Sequence, residues 1–421
     1  MTTHKQIQTA LKWLTPGIGI KRWLLLLASG IALLSLGFGS LLRQLYPLPD
    51  IFYYLTFQFI PPALRIVLVG LVGIAMVILG LFRINQTLLA PFVHTDSETV
   101  ANAIYQYRQR ERGPKIVAIG GGHGLAVLLR GLKRHTSNIT VIVTVADDGG
   151  SSGRLRRDLG VLPPGDFRNC IAALANDEAL TTQLFQYRFG DGNSLNSHSL
   201  GNLFITAMAE VTGSFERAIL ESGRVLAIQG RVLPSTLRDV TLMADLRAES
   251  AGVNRVAGES SITQAGGIIE RVYLEPDDVP AYPEAVHALL DADLIVAGPG
   301  SLYTSVLPNL LVQDIAQAVR ASRALKVYVC NVATQRGETD GYGVSHHVAA
   351  LEAHVGQSLF PIVLANDNLD VNFDAPPGVA LVAMNISADA THRIVSADLT
   401  DPVHPWRHDS DKLAQALLKL L

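Results

Sequence analysis

Two long apolar runs open the chain, and the pattern changes after them. Trp23 to Leu42 is 20 residues without a charge, and a helix of that length reaches about 30 Å, the thickness of a bilayer's hydrocarbon core. Ile66 to Phe82 is a second uncharged run of 17 residues, flanked by Arg65 and Arg83, whose long side chains can snorkel to the interfaces. Two spanning helices are predicted. Further on, the apolar runs are short: Lys115–Ile119, Ile139–Val145, Leu294–Ala297, Lys326–Cys330 and Pro361–Leu364 read as strands leading into small, polar or glycine-rich loops. Leu125, Leu128, Leu129 and Leu132 recur at helical spacing, and Leu413, Leu417, Leu418 and Leu421 give a final amphipathic helix. This alternation predicts an α/β fold, a Rossmann-like open, mostly parallel sheet with helices on both faces, preceded by two transmembrane helices.

The expected organisation is a membrane hairpin over 1–92, a linker helix over 93–113 opened by Thr95 and Glu98 at capping-box spacing, and a Rossmann-like domain over 114–421. Lys5, Lys12, Lys21 and Arg22 precede the first span and mark that side as cytoplasmic, and two spans return the chain to it. The expectation is a cell (inner) membrane protein with both termini and the large domain in the cytoplasm, bound to the lipid bilayer through residues 1–92. Neither span holds an internal charge, so transport is not indicated.

Composition sharpens this division. Charged residues are 17% of the chain, against about 25% in ordinary soluble domains, and mean hydropathy is +0.27. The net charge of −3 hides an asymmetry: residues 1–92 hold seven basic and one acidic side chain, which leaves 27 basic and 36 acidic in 93–421. That acidic balance argues against nucleic acid as a partner. Cys170 and Cys330 stand 160 positions apart with no CxxC or Cys/His spacing, so neither a disulfide framework nor a structural zinc site is suggested. His346-His347 lacks a ligand-spaced partner and reads as surface or helix-capping.

The candidate chemistry lies in the loops. The strand at 115–119 runs into Gly120-Gly121-Gly122-His123-Gly124 and then a helix, the layout in which backbone approaches a diphosphate and a helix N-terminus faces it. The second strand ends in Asp147-Asp148, which can bind ribose hydroxyls, coordinate Mg²⁺, accept a proton, or form an Asx turn. Gly149-Gly150-Ser151-Ser152-Gly153 matches G-x-S-x-G, with Asp340 and His346 following in hydrolase order. Two aspartates separate it from its strand, however, and Arg154, Arg156 and Arg157 suit an anionic ligand better than an ester. Further polar loops contain Gly165-Asp166-Phe167-Arg168-Asn169, His198-Ser199-Leu200-Gly201-Asn202, Gly298-Pro299-Gly300-Ser301 and Arg407-His408-Asp409.

Six motifs in order give the chain a resemblance to the YvcK family, gluconeogenesis-factor-like proteins related to the CofD phospholactate transferases. They are GGGHG at 120–124, VADDGGSSGRLR at 145–156, PPGDFRNC at 163–170, HSLGNL at 198–203, GPGSLYTSVLPNLLV at 298–312 and CNVATQRGETDGY at 330–342. The resemblance implies a Rossmann-like domain that binds UDP-sugars such as UDP-N-acetylglucosamine, with a role in cell shape and envelope maintenance during gluconeogenic growth. It implies no established reaction. The family's glycine loop usually has Thr where this chain has His123. On this reading Gly120, Gly121, Gly122, His123 and Gly124 approach the diphosphate and Asp147 or Asp148 the ribose or a metal. Ser151, Arg154, Asn169, Asn202, Gly300 and Ser301 supply further polar contacts, and Arg407 clamps the ligand from the C-terminal end. Binding needs no cofactor; a homo-oligomer and envelope-synthesis proteins are the expected protein partners. The rival is a CofD-like 2-phospho-L-lactate transferase using a nucleotide diphosphate donor and Mg²⁺, with Asp147 and Asp148 as its candidate catalytic residues.

Overall fold

The computed structural model describes residues 109–421 except 177, 191–194, 248–251, 357–358, 371–375 and 386–391, together with five isolated earlier positions. The spans expected at 23–42 and 66–82 lie outside the described residues, as does the linker helix expected at 93–113 apart from its end, where 109–111 are helical. Among the described residues no helix is long and apolar enough to cross a membrane. The chain divides into two units, Met1–Gln109 and Arg110–Leu421.

The second unit is built on two sheets. Strands β1 (Ile116–Gly120), β2 (Ile139–Val143) and β3 (Arg231–Pro234) precede β4 (Thr241–Arg247), β5 (Val253–Ala257) and β6 (Ile268–Glu275). Strands β7 (Leu294–Ala297), β8 (Leu325–Val329), β9 (Ile362–Asn366) and β10 (Arg393–Ala397) follow. Seven strands form one sheet in the order β10-β9-β8-β7-β1-β2-β3, with every neighbouring pair parallel. Residues of β1, β2, β7 and β9 are buried at every position, the mark of a parallel sheet covered on both faces. Helix Gly122–Leu132 lays Leu125, Leu128, Leu129 and Leu132 into the core. Its Gly131 lies so near the terminal helix Ser410–Leu418 that a Cβ there would clash with the Ser410 carbonyl oxygen.

The remaining strands form an antiparallel sheet, β5-β4-β6, inserted between β3 and β7. The sequence pattern did not reveal it, because β5 and β6 carry mixed rather than uniformly apolar positions. Helix Glu259–Ala265 follows β5 and reaches the carboxyl edge of the large sheet: the Asp148 carboxylate Oδ1 accepts from the Ser260 backbone N–H at 2.9 Å and its hydroxyl at 2.8 Å.

Candidate functional site

The strand order reverses at β1, which lies between β7 and β2. In open α/β sheets the crevice outside the carboxyl ends at such a reversal receives ligands. Here the loops after β1 and β7 touch: a Cβ on Gly124 would lie 2.8 Å from the Pro299 carbonyl oxygen and 3.0 Å from Gly300 Cα, so glycine is what lets them meet. Gly122, at φ +66°, starts the helix in the left-handed region. Two side-chain amides, buried Asn309 and half-buried Asn331, hold the loops. Asn309 Nδ2 donates to the carbonyls of Gly120 (3.0 Å) and Ser305 (2.8 Å), and Asn331 both accepts from Gly300 N–H (3.2 Å) and donates to Gly300 C=O (2.9 Å).

Beneath these loops opens a cavity of about 730 Å³. Arg130, Arg168, Arg188, Arg336 and Arg407 line it, and Arg168, Arg407 and Arg130 lie close enough to His123 to act on its charge. Burial, then the charges of Arg168, Arg407 and Arg130, lower the His123 pKa, so the imidazole is neutral at neutral pH. Another part is acidic, formed by Asp147, Asp166 and Glu259 from three separate segments. Burial and the neighbouring Asp147 push Asp166 up to about 7, against a lowering hydrogen bond from Gly122 N–H. Burial, Asp147 and Asp166 push Glu259 up to about 10. Glu259 is therefore a neutral acid at pH 7. Among the described residues no three His, Cys, Asp or Glu side chains have the arrangement of a metal site.

Between these parts runs a buried polar network. Arg168 Nη1 donates to Ser199 Oγ at 2.7 Å and Nη2 to Asn169 Oδ1 at 3.0 Å, while its Nε has no partner. Ser199 caps helix Leu200–Thr212 by accepting from Asn202 N–H. Ser151 Oγ lies 3.0 Å from His198 Nδ1 and receives Asn202 Nδ2 at 3.1 Å. Also on the lining, Ser301 Oγ donates to Gln335 Oε1 at 2.5 Å, and Gln335 Nε2 donates to buried Glu338 at 2.8 Å.

The family model described as "2-phospho-L-lactate transferase CofD" matches residues 116–420. A Nostoc protein named "Putative gluconeogenesis factor" is 45% identical over 442 aligned positions, covering 99% of this chain and 94% of its own length. The chain belongs to the gluconeogenesis factor family. The Bacillus subtilis "Gluconeogenesis factor" is 45% identical over 73% of this chain and 98% of its own length. The crystal structure of a Bacillus halodurans protein, 43% identical, superposes with a TM-score of 0.66 over 73% of this chain and 99% of that one. The family thus includes members with and without a counterpart to about a quarter of this chain. At family level, the resemblance carried by the six motifs holds.

Of the residues singled out by the sequence, Gly121, Gly122, His123, Gly124, Asp147, Ser151, Asn169, Asn202, Gly300, Ser301 and Arg407 line the cavity. Three are placed elsewhere. Gly120 is the buried last residue of β1, Asp148 turns to Ser260, and Arg154 Nη2 donates to the Asn196 carbonyl at 2.7 Å. Of the two neighbouring aspartates, Asp147 lines the cavity and Asp148 does not. Arg156 is likewise engaged, with Val240 C=O and Asp239. The hydrolase-order partners stay apart from Ser151: Asp340 accepts from Gly337 N–H at 2.6 Å and His346 Nδ1 from Gly343 N–H at 3.1 Å, capping helix Val344–Val355. His347 is buried, with Nδ1 3.0 Å from the Gly343 carbonyl. Sequence reasoning passed over Asp166 and Arg168, whose signal was the polar GDFRN loop, and Glu259, which arrives on an unrecognised insertion.

Proposed function

We propose that the cavity binds a nucleotide diphosphate sugar, of the UDP-N-acetylglucosamine kind. The chain would act as a membrane-anchored, cytoplasm-facing regulator of cell shape and envelope maintenance in gluconeogenic growth. The observation that carries the reading is the joining of a glycine loop, a helix N-terminus and five arginines at the sheet's switch point. Asp147, Asp166 and Glu259 then face the sugar or ribose hydroxyls, with ionised carboxylate accepting and neutral Glu259 donating. The family name of the relatives supports the metabolic setting, and the two apolar runs before residue 92 support the anchor.

The test is thermal shift and calorimetry on the full chain against UDP-N-acetylglucosamine, UDP-glucose, NAD and GDP, with and without Mg²⁺. A ligand at a hundredfold its Kd stabilises the folded state by about 2.7 kcal/mol. Selective stabilisation by a UDP-sugar without turnover is expected, with loss of binding in Gly122→Asp. The CofD description of the matching family model favours one second reading, a phospholactate transferase. Mg²⁺-dependent release of GMP with a deazaflavin acceptor would establish that activity instead. No shift with any ligand refutes both. A chain lacking residues 1–92 that still fractionates with membranes refutes the anchor.

A further inference from the structure

We infer that Ser151 is an activated nucleophile with His198 as its base, able to take a phosphoryl group from an electrophile seated in the cavity. The partners leave this proton transfer open. Asn202 Nδ2 can only donate, and at 3.1 Å it occupies a lone pair of Ser151 Oγ. In the His198 tautomer that leaves Nδ1 unprotonated, the serine proton points along the 3.0 Å contact to that nitrogen. A histidine accepting at Nδ1 carries its own proton on Nε2. Burial first, and then the Arg154 charge, lower the His198 pKa against the pull of Asp158, so a neutral ring is available to accept.

The surroundings suit an electrophile. Ser151 lines the cavity with its side chain otherwise packed away, at 4% exposure. It is the second residue of helix Gly150–Leu159, whose first turn holds no acid and whose N-terminal amides favour developing negative charge. Two buried polar atoms nearby lack partners, Asn202 Oδ1 on a side chain 1% exposed and Arg168 Nε on one 7% exposed. Unmade hydrogen bonds at such depth are costly, and a ligand that supplies partners satisfies them. In the step itself Ser151 Oγ bonds to phosphorus as the P–O bond to the leaving group breaks. The hydroxyl proton passes to His198 Nδ1 and from there to the departing oxygen, so a phosphoric ester or anhydride and the serine become a phosphoserine and an alcohol or a phosphate.

This inference rests on the cavity proposed above as a ligand site, but not on the ligand being a nucleotide sugar. The probe is a fluorophosphonate added to the full chain, with adducts located by mass spectrometry; fluoride leaves in place of the P–O group. The expected result is one adduct on Ser151, formed roughly a hundredfold or more slowly in His198→Gln, the usual worth of a positioned base. In the unaltered chain the rate should level off above the His198 titration. A rate that keeps climbing tenfold per pH unit to pH 9, equal labelling in a folded His198→Gln protein, or no adduct on Ser151 each overturns the inference. UDP-N-acetylglucosamine is read separately. If it binds by calorimetry and Ser151 stays unlabelled in its absence, the serine pair alone fails. If Ser151 is labelled and the nucleotide sugar neither binds nor protects, the binding proposal alone fails.

Discussion

The two sheets of the described region contribute to one cavity in different ways. In the seven-stranded sheet, β1, β2, β7 and β9 are buried throughout, and the glycine loops at their ends are fixed by the packing beneath. In the three-stranded insertion, β5 is exposed or half-exposed along its whole length, and what it delivers is one helix carrying Glu259. The first sheet places backbone where a diphosphate can approach it; the second adds a carboxyl that burial first, and then Asp147 and Asp166, push toward its protonated form. The contrast predicts a site that is rigid on one side and adjustable on the other.

The largest effect should come from the buried side of this contrast. Leu128 is fully buried in the glycine-loop helix, and Leu128→Ala should cost about 2–5 kcal/mol in denaturant unfolding. Val253, 60% exposed on β5, should tolerate Ser within about 0.5 kcal/mol. Similar losses at the two positions would erase the distinction. Next is the junction of the loops: Gly124→Ala puts a Cβ against Pro299 and Gly300. It should cost about 1–3 kcal/mol as overpacking and weaken ligand binding by separating the loops, read by calorimetry.

Legibility followed the same division. The strands β1, β2, β7 and β9 are visible as short apolar runs because full burial demands apolar residues at both faces, and β8 is visible through its buried last three residues. Their glycine loops were visible because close backbone approach excludes side chains, as at Gly124. Residues such as Asp148 and Arg154 could not be assigned this way. Their types suit a ligand, yet tertiary partners, Ser260 and the Asn196 carbonyl, claim them. Nor could sequence distance bring Glu259 beside Asp147, since the contact exists only once the insertion folds back on the large sheet.

The acidic side should show itself through pH. The Asp166 carboxyl is held at about 7, above its ordinary 3.8, so the folded state is favoured by its protonated form. Its contribution is full below the ordinary carboxyl range and is lost as pH rises through about 7. Its share of the melting temperature should therefore fall from pH 4 to pH 8, as does that of Glu259, while His123, His198 and His408, held below the ordinary imidazole value, act in the opposite direction. Asp166→Asn should flatten part of that fall by a few degrees, since 1 kcal/mol moves Tm by about 2–4 °C in domains somewhat smaller than this one. Glu338, also pushed up to about 7 by burial, supplies a fall of the same sign that the variant leaves in place. An unchanged slope in Asp166→Asn would show that Asp166 ionises without penalty.

The smallest of these effects tests the tie between the sheets. Asp148 accepts two hydrogen bonds from Ser260, in the first turn of the helix that carries Glu259. A carboxylate at that position satisfies a helix N–H that otherwise lacks a partner. Losing such a cap costs about 0.5–2 kcal/mol, typically about 1. Asp148→Ala should lower global stability by that amount, but the more telling measurement is amide hydrogen exchange. If the insertion is a separately adjustable unit, protection should drop in β4, β5 and helix Glu259–Ala265 while β1 and β7 keep theirs. Equal loss in both sheets would mean that they open together, and Glu259 would then be as firmly fixed as the glycine loops it faces.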